Sequence, residues 1–236
     1  MTTSELAELI YNDLAEVSAA KHNTLGVPGF KTEMEHLRVA AAQLREVEDK
    51  WMGILHDFSA EQWIELCIHL VNMKVFECQL LAYKLIWKNK KVLSHLNYEQ
   101  ILELGGVLDN WASVDAYCLM VTGWHWREGT LPDQQILKWL KSKNHWIRRV
   151  AVVSTVPLNL KSRGGKGDTK RTLMVCEKVV SDRNDKIVKA LSWALRELSK
   201  TDKPAVGKFI EKYRKSLHPR VIREVTLKLT TGRKNG

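Results

Sequence analysis

The stretch Asp109-Asn110-Trp111-Ala112-Ser113-Val114-Asp115 holds the side chains best suited to chemistry. In a helix Trp111 and Asp115 are four positions apart and share one face, so a flat indole stands beside a carboxylate. That pair suits a reaction centre that is apolar on one side and becomes positive on the other. A single W-x-x-x-D arises by chance in many helices, so it gains meaning only where other segments bring partners. Two segments offer them. Arg148 and Arg149 supply guanidinium groups, and Lys189 and Trp193 supply an ammonium and a second indole. Taken singly, Asp115 reads equally as a solvated or ion-paired carboxylate, and Arg148 as the structural member of its pair. Trp51, Trp63, Trp87, Trp139 and Trp146 are assigned to packing. The eight histidines form no H-E-x-x-H cluster and the four cysteines no C-x-x-C pair, so neither a metal nor another cofactor is expected.

The elements that must position these groups are helices. Leu6, Ile10, Leu14 and Val17 recur at three- and four-residue intervals, as do Trp63, Leu66, Cys67 and Leu70, then Phe76, Leu80, Leu81 and Leu85. Ser59 marks one helix start, and Thr201-Asp202-Lys203-Pro204 another, with proline where its missing N–H costs little. The β-branched patch Val150 to Val156 follows Ile147 at helical spacing and fits a buried helix. The chain is therefore expected to be all-α. Apolar-plus-basic helix cores recur at Leu37-Arg38, Val75-Phe76, Trp111-Ala112, Ile147-Arg148, Ile187-Val188 and Ile222-Arg223, separated by 38, 36, 36, 40 and 35 positions. A period near forty built of helix pairs predicts a HEAT-like helical-repeat solenoid of about six pairs, its second helices lining a concave basic face. On that face the Trp111/Asp115, Arg148/Arg149 and Lys189/Trp193 sets would converge from successive repeats. The segment Pro157 to Lys170 reads as a flexible basic loop inside one repeat. Its Gly165-Lys166-Gly167 lacks the flanking strand and Gly-Lys-Ser/Thr ending of a nucleotide cradle. The tail from Thr231 is expected to fray.

A length of 236 residues with 44% hydrophobic and 27% charged residues fits one globular domain over 1–236 and excludes a disordered chain. No basic leader with an apolar run and no long apolar span appears, which predicts a cytosolic protein without membrane association. The scattered cysteines are expected to be reduced and mostly buried. The net charge of +10 is unevenly spread: residues 1–140 sum to −7 and residues 141–236 to +17. Such a basic half is the electrostatic footprint of a phosphate-backbone binder.

With these residues in view, the sequence resembles the AlkD-type DNA alkylation-repair glycosylases, a family built from HEAT-like repeats. The resemblance rests on Asn110-Trp111-Ala112-Ser113-Val114-Asp115, on Asn144-His145-Trp146-Ile147-Arg148-Arg149-Val150-Ala151 and on Lys189-Ala190-Leu191-Ser192-Trp193-Ala194-Leu195-Arg196-Glu197. Weaker agreement runs from Leu25-Gly26-Val27-Pro28 to the final helix. The resemblance implies hydrolysis of the N-glycosidic bond of cationic alkylated purines, such as N7-alkylguanine and N3-alkyladenine, in double-stranded DNA by a cytoplasmic, nucleoid-associated monomer. The family's functional residues carry over as Trp111, Asp115, Arg149 and Trp193. Asp115 would stabilise the oxocarbenium character developing at the sugar, with the two indoles flanking the electron-poor sugar and base edge. Arg149 would hold the phosphate beside the lesion. Arg148, Lys189, Arg196, Lys200 and the loop residues Lys161, Arg163 and Lys166 would add backbone contacts without sequence preference. Family members commonly have a tyrosine and basic residues upstream of the position of Leu25. Here Leu14 to His22 carries little of that chemistry. Two alternatives therefore stay open: a HEAT-like DNA binder that excises nothing, and a protein-interaction scaffold whose basic face meets an acidic partner.

Overall fold

A computed structural model describes residues 1–19 and 30–233; Leu25 to Pro28, Ala20 to His22 and the last three residues of the tail lie outside them. The described residues are helical with no strand, and an isolated parallel bridge joins Glu35 to Val75. No helix among them is long and apolar enough to cross a membrane. The chain divides into two compact units, Met1–Val121 and Thr122–Gly236. Their formal charges are −7 and +17, the same sums as on either side of residue 140, because residues 122–140 carry no net charge.

The first unit comprises α1 (Thr3–Ala19), α2 (Ala41–Ile54), α3 (Ala60–Asn72), α4 (Phe76–Lys88), α5 (Lys90–His95), α6 (Tyr98–Glu103) and α7 (Trp111–Tyr117), the last running into a π-helical turn at Cys118–Thr122. Helices α1, α3, α5 and α6 pack in one layer, while α2, α4 and α7 pack in sequence as a second. Ser59 starts α3 as expected, in a capping box with Gln62. The Leu37-Arg38 core is a correction. These residues belong to no helix, and Arg38 takes a left-handed φ of 61°. The buried Glu77 carboxylate explains it: Leu37 N donates to Oε2 at 3.0 Å and Val39 N to Oε1 at 3.3 Å, removing the donors a helix would use. The repeat's apolar residues are present, but a carboxylate forty positions downstream holds their backbone open.

The second unit holds α8 (Gly123–Glu128), α9 (Asp133–Leu140), α10 (His145–Val153), α11 (Val156–Asn159), α12 (Thr169–Glu177), α13 (Asp185–Leu198), α14 (Lys203–Tyr213) and α15 (Pro219–Thr231). Helices α9/α10, α12/α13 and α14/α15 form consecutive pairs, and the second members α10, α13 and α15 pack side by side. This is the helical-repeat architecture expected. Helix α13 shows how the pattern works. It buries Ile187, Leu191, Ala194, Leu195 and Leu198, which leaves Lys189, Trp193 and Arg196 along the opposite stripe, with Lys200 in the turn just beyond it. Asp202 caps α14 with Pro204 in its first turn, as read from the sequence.

The loop from Pro157 to Lys170 differs from the flexible segment expected. Pro157, Leu158 and Asn159 are helical and buried, and Lys161–Arg163 form a 3-10 turn. Gly165 N donates to Leu160 O, and Gly167 N to Leu158 O. The buried Asn159 amide donates to Thr155 O and Thr172 Oγ1 and accepts from Asp168 N, each at 2.9–3.0 Å. The loop is thus pinned at its root, with Lys161 and Lys166 exposed. All four cysteines are buried and none is in a disulfide. Burial pushes the Cys78 thiol up to about 12, and Cys67 and Cys176 are likewise raised. Trp51 and Trp63 are buried as assigned, but Trp87, Trp139 and Trp146 are only half-buried.

Candidate functional site

The first set of candidate side chains lies on α7. Asn110 caps this helix, its Oδ1 accepting from Ala112 N at 3.0 Å and Ser113 N at 2.9 Å. Asp109, just before it, accepts from Thr32 Oγ1 at 2.8 Å and from Glu33 N, which ties the helix start to the segment after residue 30. Trp111 is therefore the first helical residue and Asp115 lies one turn on, half-buried. Trp111 is 45% exposed, whereas the other eight tryptophans are buried or half-buried. Its edge meets Phe30 at a centroid distance of 6.0 Å, and Phe30 in turn contacts Phe76 and His36, whose rings stack at 5.1 Å. Trp111 is thus kept at the surface, braced through Phe30 by the Phe76 and His36 rings.

The second set meets in a cleft of about 550 Å³ within the second unit, lined by Arg149, Lys189, Trp193, Arg196, Arg220 and Glu224. Asn144 caps α10 through Trp146 N at 2.8 Å, and Asn184 caps α13 through Lys186 N at 2.9 Å, which sets the phase of both helices. Arg149 is buried at the back of the cleft, and its Nη1 donates to Lys186 O at 2.6 Å. Lys189 pairs with Asp185 at 2.7 Å. Glu224 accepts from Arg220 Nε at 2.7 Å through one oxygen and from Ser192 Oγ at 2.6 Å through the other. Arg196 Nε is 3.3 Å from Ser192 Oγ and 3.9 Å from Glu224. Burial alone would push the Glu224 carboxyl upward. The Ser192 hydroxyl and the Arg220 and Arg196 guanidiniums outweigh it and hold the group below the usual glutamate range, so it is ionised.

Four of the residues picked from the sequence, Arg149, Lys189, Trp193 and Arg196, are thus brought to one cleft, while Trp111 and Asp115 belong to the first unit. Arg148 lies outside that cleft's lining: its Nε pairs with Asp182 at 3.0 Å and its Nη1 donates to Ser142 O and Lys143 O. Lys200 pairs with Glu197 at 2.6 Å. Arg163 is half-buried and its carbonyl accepts from Arg127 Nη1 at 2.8 Å. Lys161 and Lys166 are exposed at the loop, Lys166 beside a second cleft with Arg127 and Asp168. Sequence reading missed Arg220, Glu224 and Phe30. Arg220 and Glu224 flank Val221 and Ile222 at the last repeat core, so extending the register of α13 by one period would have found them. Among the described residues no group of three His, Cys, Asp or Glu side chains could hold a metal ion.

Residues 5–229 match the family described as DNA alkylation repair enzyme. The chain belongs to that family. Membership supports a role in alkylation repair, with DNA as the partner. A solved structure similar to it is a predicted DNA alkylation repair enzyme from Enterococcus faecalis, at 18% identity and a TM-score of 0.66, covering 93% of this chain and 96% of that one. At that identity the likeness speaks for the shared helical fold. No curated protein matches the chain.

Proposed function

We infer that this family member is a monofunctional DNA glycosylase that hydrolyses the N-glycosidic bond of cationic alkylated purines. The observation that carries the reading is the second-unit cleft, where an indole stands among four cations in the more basic unit of a DNA alkylation repair protein. Guanidinium and ammonium groups around a flat aromatic face suit a sugar-phosphate strand, with Arg149 offering the forked grip on a phosphate. The one carboxylate lining this cleft, Glu224, is held ionised and cannot serve as a general acid. A base that is already positive needs none.

The chemical role falls to Asp115, with Trp111 one turn before it on α7. As the glycosidic bond stretches, positive charge grows at C1′ and a carboxylate beside it lowers the barrier while orienting water. The negative face of an exposed indole favours the same charge. Arg148, Lys200, Lys161, Arg163 and Lys166 are assigned backbone contacts, and of these Lys161, Lys166 and Lys200 are exposed. The protein is proposed to act as a single-domain monomer, without a cofactor, in the cytoplasm and nucleoid. Release of free base from methylated duplex DNA tests the reading. Tight duplex binding with no base released would move a silent DNA binder to the front, and no duplex binding at low salt would favour a protein-interaction scaffold.

A further inference from the structure

The second-unit cleft contains more positive charge than it offers. Of its four cations, Arg220 is held by Glu224 at 2.7 Å and approaches Asp185 at 3.6 Å, and Lys189 pairs with the same Asp185 at 2.7 Å. Arg196 shares the Glu224 carboxylate at 3.9 Å and leans on Ser192 at 3.3 Å. A carboxylate facing a polyanion site is electrostatically unfavourable for binding. A site selected only for tight binding would place an uncharged acceptor there. Glu224 is not an incidental surface glutamate: its side chain is only 13% exposed and both oxygens are engaged by groups lining or backing the cleft.

We propose that Glu224 is an internal stand-in for a nucleic-acid phosphate, which keeps Arg220 and Arg196 partly neutralised and so limits the grip of the cleft on undamaged DNA. The inference rests on the reading of this cleft as a phosphate-backbone site. The geometry has the chemistry of a phosphate contact, with the Arg220 Nε and the Ser192 hydroxyl donating to one anion and the Arg196 guanidinium 3.9 Å from it. A strand phosphate entering the cleft competes with the Glu224 carboxylate for Arg220, so a contact is exchanged rather than added. Undamaged DNA is then held through fewer phosphates than the cleft has cations, and a repair protein that must survey long stretches of duplex is released from them sooner.

The test is the binding of an undamaged 20-base-pair duplex, followed by fluorescence anisotropy over a series of KCl concentrations. Glu224→Gln keeps acceptor and donor atoms for Arg220 and Ser192 but removes the charge. It is expected to bind about three- to tenfold more tightly at low salt, with the log–log salt slope steeper by about 0.9 as Arg220 becomes available to one more phosphate. Asp185→Asn, at a more exposed position that pairs Lys189 at 2.7 Å and lies 3.6 Å from Arg220, is expected to tighten binding by a smaller factor. A structural anchor would behave in the opposite way, its loss loosening the arginines and weakening binding. Unchanged or weaker binding by Glu224→Gln, with a parallel salt line and an intact fold by circular dichroism, would overturn the proposal while leaving the glycosylase reading in place. Failure of the wild-type chain to bind duplex would overturn the underlying reading and this inference with it. Base release by wild type from methylated duplex reports on the glycosylase reading separately.

Discussion

Replacing His125 with leucine is expected to change how the protein responds to acid. His125, on α8, is fully buried, and neither ring nitrogen has a hydrogen-bond partner among the described residues. Burial lowers its imidazole from the ordinary 6.5 to about 4. The unfolded chain therefore takes up a proton before the folded one does, and stability falls as pH drops. Above pH 6.5 both states are neutral at this site and it contributes no pH dependence. Between about 6.5 and 4 the loss grows by about 1.4 kcal/mol per pH unit, reaching about 3 kcal/mol near the lower limit. That is a large share of a marginal folding free energy of roughly 5–15 kcal/mol. Leucine has a similar volume and nothing to protonate, so this part of the acid sensitivity disappears. It also removes two buried polar atoms without partners, which is expected to add about 1 kcal/mol at pH 7. Urea unfolding of both proteins at half-unit steps from pH 4 to 7.5 measures the difference directly. If the two stability profiles run parallel through that window, His125 does not titrate as its burial requires and the reasoning fails.

Three further outcomes follow from the described geometry. Asp115→Asn removes the charge on α7 while keeping its shape, and is expected to slow release of N7-methylguanine on the order of 10²–10³-fold in single-turnover assays, with binding to undamaged duplex the same or slightly tighter; release at the wild-type rate would exclude Asp115 as the stabilising group. On a panel of duplexes with single lesions, N7-alkylguanine and N3-alkyladenine are expected to be excised and uracil, hypoxanthine and 8-oxoguanine left in place, because neutral bases need a general acid; efficient removal of a neutral base alone would overturn the mechanism. Gly165→Ala would drive a Cβ into the Pro157 carbonyl oxygen and the Leu158 main chain, which cannot yield as a side chain tip can. A loss of about 1–3 kcal/mol is expected, read as a lower thermal midpoint, and an unchanged midpoint would show that the loop root is not held as described.

Much of this architecture is local physics and was open to reading from the chain alone. Apolar residues at helical spacing define α1, α3 and α4, and Ser59 and Asp202 with Pro204 mark helix starts, because capping and amphipathicity act over a few residues. The repeat reading put Trp111/Asp115, Arg148/Arg149 and Lys189/Trp193 on neighbouring positions of one face, since successive second helices present equivalent faces, and of these Arg149, Lys189 and Trp193 line the second-unit cleft. What only the tertiary structure decided involves partners far apart in sequence. Leu37 and Arg38 have the composition of a helix core, yet Glu77 takes the backbone donors and holds the segment open. Pro157 to Asn159 looked like loop and is buried because the Asn159 amide bridges Thr155 and Thr172. Arg148 and Arg149 are indistinguishable neighbours in the chain, but one turns to Asp182 and the other lines the cleft. Glu224 is reached by extending the α13 register one period, but only the folded chain closes Ser192 and Arg220 around its carboxylate. Periodicity sets which residues share a face; which charges on that face stay available is decided by long-range pairing, and that energy is not written in any local window.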